Sequence, residues 1–399
     1  MNPWLELFAA AAHSPRLLIG VMSGTSADGV DAALIRFTDD APPEVRAFVS
    51  VPFPDDLRAR VLRVASNEPV SAETVSRLGV ELATRYADAA SAVRDAARLA
   101  PGETVLAIGC HGQTVSHTPH GAFPATLQIG DPATLAHRTG LPVVSDFRAA
   151  DVALGGQGAP LVPLADGRLF THPTRSRAVQ NIGGIGNVTF LPAGGGVGDI
   201  RGFDTGPGNV LMDIAAGWAT GGALAYDRDG ALAAQGEVVP ALLDYLLAHP
   251  FLSLPPPKSA GREEFGESLW RALQAQPAFA AAPPASILAT VTAFTAQTIA
   301  DAYRRFLPAA PDEVIVAGGG ARNPALLRAL RQKLAPIPVR TSGELGTDTQ
   351  AREALAFAVL ADETLRGCPA NLPAVTGATR PAVCGSVTLP PEQATPGAR

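Results

Sequence analysis

Lysine is nearly missing from this chain. Lys258 and Lys333 are the only two in 399 residues, and neither sits in a G-x-x-x-x-G-K-[ST] context. That excludes a Walker-type loop, in which a lysine reaches the phosphates from the turn itself. No G-x-G-x-x-G follows a strand-like run, so a Rossmann dinucleotide fingerprint is excluded as well. The three cysteines, Cys110, Cys368 and Cys384, are odd in number and scattered, which argues against a disulfide framework and for reduced thiols in a cytoplasm. His111, His117 and His120 lack the spacing of a zinc site. Cations are outnumbered, 31 Lys plus Arg against 37 Asp plus Glu, and the formal charge of -6 offers no basic field to nucleic acid. The stretch from Met1 to Ser14 has no basic lead and only a short apolar run, so neither export nor membrane insertion is expected.

Apolar residues, in contrast, make up 47% of the chain against 17% charged. A chain of this length exceeds the size at which one hydrophobic core stops growing, so two domains are expected. Arg16 to Met22 (RLLIGVM) and Val30 to Phe37 (VDAALIRF) read as two strands joined by a Gly/Ser/Thr/Asp turn. Glu73 to Leu99 has helical spacing, Val105 to Gly109 reads as a buried strand, and Pro142 to Asp146 as another. The pattern then restarts. Ala178 to Asn181 is a strand end, Gly183 to Gly186 a turn, and Asn187 to Leu191 a strand, with a helix from Pro207 to Ala216. Pro284 to Leu307 reads as a long helix, Glu313 to Ala317 as a strand, Asn323-Pro324 as a helix start and Ala351 to Leu365 as a helix, while the tail from Pro390 reads as disordered. The expected division is an α/β lobe of residues 1–150 plus 370–399 and a second of residues 151–369.

Gly-rich turns after apolar strands occur at Gly24 to Gly29, Gly183 to Asn187, Gly206 to Asn209 and Gly318 to Asn323. Such turns expose backbone N–H groups and hydroxyls and let phosphate oxygens approach without a Cβ in the way, which makes lysine dispensable. Taken together they indicate phosphate and nucleotide contacts. Asp28 and Asp31 are candidate ligands for Mg2+, which prefers few carboxylates plus phosphate oxygens and water. A tight structural hairpin with a capping aspartate is the alternative for any one turn.

The ordered series GVMSGTSADGVD (20–31), GCHGQT (109–114), LQIGD (127–131), DVALGGQGAPLVP (151–163), NIGGIGN (181–187), GFDTGPGNVLMD (202–213), KSAGREEF (258–265), AGGGARNP (317–324), EALAFAVLA (353–361) and NLPAVTGA (371–378) resembles the successive motifs of the anhydro-N-acetylmuramic acid kinase family. It runs from about residue 18 to about 385. The resemblance implies an α/β, two-lobed actin-like, ribonuclease H-like ATPase fold with an active-site cleft between lobes. It also implies a bacterial, homodimeric enzyme of peptidoglycan recycling that uses ATP and Mg2+. Such an enzyme opens the anhydro ring of 1,6-anhydro-N-acetylmuramic acid with water and phosphorylates O6, giving N-acetylmuramic acid 6-phosphate.

Carried over residue by residue, Gly24, Thr25, Ser26, Ala27, Asp28, Gly29, Val30 and Asp31 match the family's phosphate-binding segment, and Asp204 its catalytic base. An aspartate, with an ordinary pKa of about 3.9, is ionised at neutral pH and can take a proton from water. The competing reading of Asp204 is a helix N-cap. Glu353 is the second acid/base candidate, against a plain surface carboxylate. Gly183, Gly184 and Gly206 are expected near phosphates, and Gly318, Gly319, Gly320 and Asn323 near the adenosine. His111, Gln113, Gly130, Asp131, Arg148 and Asp151 are expected around the sugar; for Asp131 and Asp151 the alternative is a turn or cap carboxylate, and for Arg148 a structural ion pair. Lys258 and Arg262 are expected to touch substrate or a dimer partner. An actin- or chaperone-like ATPase switch, and a sugar or acetate-type kinase without ring opening, remain as alternatives.

Overall fold

The computed structural model describes residues 2–66, 68–346 and 351–391, with the backbone alone at Arg262. The chain divides into Met1–Leu169 with Gln350–Arg399, and Phe170–Thr349. The borders expected at 150 and 370 therefore move to 169 and 350. Two buried contacts account for the shift: the Val162–Phe170 helix carries Asp166, whose carboxylate takes the Arg352 guanidinium at 2.6 Å, and the Ala351–Leu365 helix packs on the first sheet.

In the first unit β1 (Arg16–Met22), β2 (Gly29–Thr38) and β3 (Ala41–Pro52) form an antiparallel meander. Parallel strands β4 (Ala107–Cys110) and β7 (Val143–Ser145) extend it on the β1 side, and β13 (Ser386–Thr388) closes the edge antiparallel to β7. β5 (Gln113–Thr118) and β6 (Ala125–Ile129) form a separate hairpin. All seven residues of β1 are buried, as expected of a central strand covered on both faces. One cover is the Ala72–Ala96 helix, started by the Ser71 hydroxyl accepting from the Thr74 N–H at 3.1 Å, which packs Leu78, Leu82 and Tyr86 onto Ile19, Val21 and Leu34. The other is the Ala351–Leu365 helix. Glycine permits its approach, since a Cβ at Gly20 or Gly109 would overlap the carbonyls of Ala354 and Phe357.

The second unit repeats the plan. Antiparallel β8 (Arg177–Ile182), β9 (Ile185–Leu191) and β10 (Arg201–Pro207) are followed on the β8 side by parallel β11 (Glu313–Ala317) and β12 (Val339–Thr341). Each sheet thus has a three-strand meander whose first strand is flanked by the parallel strands, a ribonuclease H-like arrangement. The Pro284–Phe306 helix is the centrepiece of the second core, with Ile287, Val291, Phe294 and Ile299 packed among Ile182, Phe203, Leu211 and Val316.

Pro207 departs from expectation: it ends β10, and the helix begins two residues past Gly208, at Val210. The competing N-cap reading of Asp204 falls with it, because that residue lies inside the strand. The tail beyond residue 391 lies outside the described residues. No helix among the described residues is long and apolar enough to cross a membrane.

Candidate active site

The β1–β2 turn presents Thr25 and Ser26 to solvent at its tip, while Ala27 is buried with its N–H donating to the Gly24 carbonyl at 3.0 Å. Val30 packs inward, so Ala27 and Val30 can offer a ligand only their main chain. Gln113, expected to face a sugar, braces this turn instead. Its Oε1 accepts from the Ser23 hydroxyl at 2.7 Å and its Nε2 donates to the Gly24 carbonyl at 3.1 Å. Asp28 is exposed and paired with Arg58 at 3.0 Å. Asp31 lies three residues on, within β2, hydrogen-bonded to Ser50; burial raises its carboxyl above the ordinary value. The expected Asp28–Asp31 ligand pair is thus split between separate partners, and the Asp31 charge is felt at Glu353. No cluster of three or more His, Cys, Asp or Glu side chains suited to a metal exists among the described residues.

Glu353 is the one residue of its helix with an exposed side chain. Protein nevertheless crowds the rest of it, and the resulting desolvation raises its carboxyl, opposed by Arg352 and Arg148 and reinforced by Asp31. Arg352, its neighbour in sequence, points the other way, into the buried pair with Asp166. That pair anchors the start of the helix and so the place of Glu353, and sequence reasoning missed it.

The expected sugar-facing group divides on inspection. His111 Nε2 receives Arg148 Nε at 3.1 Å and Nη2 at 2.9 Å, and its ring lies 4.4 Å from that of Phe357. Burial first, then the Arg148 charge, holds its pKa well below the usual value, so it is a neutral acceptor. Arg148 gives a further bond of 2.6 Å to the Gly158 carbonyl, and burial pulls it down to about 10. Asp151 is fully buried and takes donors from the Gly158 N–H, the Asn371 amide and the Thr376 hydroxyl, each at 2.7 Å. It organises a loop and does not face a ligand, which corrects its placement around the sugar. Asp131 is the N-cap of the Pro132–Thr139 helix, with Oδ2 accepting from the Thr134 N–H at 2.8 Å, so its capping alternative holds. Gly130 is required by Tyr86, whose ring lies 2.6 Å from where a Cβ would stand.

In the second unit, Asp204 sits on β10 beside a bulge between Asp204 and Gly206. Beneath it a buried polar chain, Tyr303 to Gln180 at 3.0 Å and Gln180 to Thr205 at 3.1 Å, fixes the strand. The Asp204 N–H donates to the Lys258 carbonyl at 3.1 Å, and its Oδ2 accepts from the Ala260 N–H at 2.8 Å. Burial pushes the carboxyl up to about 6, against the Ala260 hydrogen bond and the Lys258 charge. The ordinary ionised aspartate expected from sequence is thus a tuned one.

The other glycine turns are tightly built. The N–H groups of Gly208, Asn209 and Val210 donate to the carbonyls of Gly184, Gly183 and Gly184, so the donors expected at this helix start bind the facing turn. Gly206 has φ +136° and packs against Thr298. Gly318, with φ +78°, comes close enough to Asn181 that a Cβ would lie 2.7 Å from its Oδ1, while Gly319 is exposed. Asn323 Oδ1 caps the Pro324–Leu334 helix, accepting from Ala325 and Leu326 at 3.0 and 3.1 Å.

Comparison with known proteins covers the chain almost end to end. The family model described as anhydro-N-acetylmuramic acid kinase matches residues 16–390. A protein of that name from Acaryochloris marina is 46% identical over 381 residues, covering 93% of this chain and 99% of the relative. Another from Gloeobacter violaceus is 46% identical over 378 residues, covering 94% and 98%. Among solved structures, a ROK hexokinase from Thermus thermophilus matches at 16% identity over 86% of this chain and 98% of its own, with a TM-score of 0.38. On the first two findings, the chain belongs to the anhydro-N-acetylmuramic acid kinase family.

Proposed function

We propose that this chain uses ATP to open the 1,6-anhydro ring of 1,6-anhydro-N-acetylmuramic acid and to phosphorylate the freed O6, yielding N-acetylmuramic acid 6-phosphate for peptidoglycan recycling. The observation that carries the chemistry is Asp204. It is a carboxylate fixed by two main-chain contacts, with a pKa of about 6, just below neutral, where a general base works best. Asp204 takes a proton from water as the water oxygen bonds to C1. The C1–O6 bond breaks, and O6 carries its electron pair to the γ-phosphorus of ATP while ADP departs. No separate acid is then needed for the leaving oxygen, unlike ordinary glycoside hydrolysis. Glu353, accessible and raised in pKa, is a second proton carrier in this reading.

Thr25 and Ser26, with the turn braced by Gln113, suit phosphate oxygens. Mg2+ supplies charge neutralisation on those phosphates when bound; Asp31, whose charge is felt at Glu353, fits that ion better than Asp28, which already has Arg58. Arg148 and His111 act as a preassembled pair toward the sugar's polar groups. Gly319, the exposed member of its triplet, is the natural contact for adenosine. Cytoplasmic location and a homodimeric state belong to the same reading, the former consistent with free Cys110, Cys368 and Cys384.

ATP consumption with the anhydro sugar, N-acetylmuramic acid and glucose in parallel tests the substrate, and turnover is expected with the first alone. NMR of the fresh product should show inversion at C1. Retention there, or ring opening at equal rate without ATP, would sink the coupled mechanism.

A further inference from the structure

Lys258 is a cation in an apolar setting. It is only 6% exposed, its Nζ lies 4.7 Å from the Phe251 ring centroid and 4.5 Å from that of Phe306, and it donates to the Phe251 carbonyl at a long 3.4 Å. Aromatic faces and one long hydrogen bond replace only part of the hydration such an ammonium gives up. Burial pulls its pKa down to about 8, with Arg305 acting in the same sense and Asp204 opposing both, so the side chain remains charged at neutral pH.

Its main chain meets the same aspartate. The Lys258 carbonyl accepts from the Asp204 N–H, and two residues on the Ala260 N–H donates to Asp204 Oδ2, which lays residues 258–260 along β10 at that point. Lys258 and Thr205, the residue after Asp204, also line one small cavity, with Thr298, Asp301 and Arg305 from the Pro284–Phe306 helix. Asp301 there accepts from the Gln297 amide and from Arg304, and Arg305 donates to the Leu252 carbonyl. Asp204, held at its N–H by residue 258 and at its carboxylate by residue 260, is the carboxylate whose charge acts on this buried ammonium.

We propose that Lys258 is a positioning residue for the reaction: its ammonium is the counter-charge of the Asp204 carboxylate, and its main chain fixes the direction in which that carboxylate points. The proposal rests on Asp204 being the base. A lysine held only for packing would be replaced by methionine at little loss, since exchanging a buried charge for an apolar group of similar volume is often neutral or stabilising. A counter-charge would not.

The test compares wild type, Lys258→Met and Lys258→Arg, the last returning a cation to the adjoining cavity. The Asp204 carboxyl carbon is titrated by NMR in Asp-labelled protein and assigned by its loss in Asp204→Asn. Its midpoint is expected to rise by about one pH unit in the methionine variant and to stay in place in the arginine variant. The acid limb of kcat/KM should move with it, giving roughly a fivefold loss at pH 6 with KM for ATP unchanged. Asp301 and Arg305 are the same in all three proteins, so a shift belongs to position 258. An unmoved carbon midpoint in folded Lys258→Met overturns the proposal. A moved midpoint with an unmoved acid limb leaves the counter-charge standing and removes Asp204 as the base. If circular dichroism shows the methionine variant unfolded, Lys258→Gln takes its place with the same expected shifts.

Discussion

At Asp204, activity and stability pull in opposite directions. Its folded-state pKa of about 6 lies above the 3.8 of a free carboxyl, so the folded chain holds this proton more tightly than the unfolded one. Stability is therefore lost as pH rises between those two values and stays lower above them. Asparagine keeps an oxygen for the Ala260 N–H and never ionises. Asp204→Asn is expected to gain on the order of 2 kcal/mol at pH 7.5 and little at pH 4, as read by thermal unfolding at both pH values. The same variant should lose at least about a hundredfold in turnover while binding ATP normally. Near wild-type turnover would remove the residue from the chemistry. The family resemblance picked out Asp204 but not its environment, because the groups that tune it, Lys258 and Ala260, lie more than fifty residues away. Asp151 shows the same limit. Its partners Asn371 and Thr376 stand 220 and 225 positions further along, so nothing local distinguished a buried loop organiser from a ligand.

Strands and helices were more legible than side-chain partners. β1, β11 and the Pro284–Phe306 helix follow from apolar runs closed by glycine or opened by proline, signals carried within a few residues. Pro207 was misplaced because a proline near a helix start has an equally good home at the end of a strand that has no further neighbour on that side, and β10 is an edge strand. Two expectations belong to this scale. Gln113→Leu removes both braces from the β1–β2 turn, and losing about 1–2 kcal/mol of alignment should raise KM for ATP roughly tenfold with native circular dichroism. An unchanged KM would mean that the turn holds its shape unaided. Gly109→Ala drives a methyl group into the Phe357 carbonyl, so the Ala351–Leu365 helix must shift. Denaturant unfolding should register about 1–3 kcal/mol of destabilisation.

The whole molecule repeats one sheet plan twice, and the sequence carried that echo in its paired hairpins. The border between the units was harder to place, since it depends on which distant segments pack together: the Asp166–Arg352 pair alone joins positions 186 apart. The first unit is built from two pieces, whereas the second is continuous. A chain ending at Thr349 lacks the helix that covers β1, β2 and β4, so it is expected to show only the second unit's dispersed amide resonances, and a Phe170–Thr349 fragment should show the same set. Native signals from β1 in the truncated chain would contradict this. For a nascent polypeptide leaving the ribosome, the order of completion is then the reverse of the order of synthesis. The middle of the message can yield a finished body while the earliest-made strands, apolar on both faces, wait for the last fifty or so residues. At translation speeds of about 5–20 residues per second that exposure lasts on the order of ten seconds or more, a window in which chaperones would find their target at the amino-terminal end.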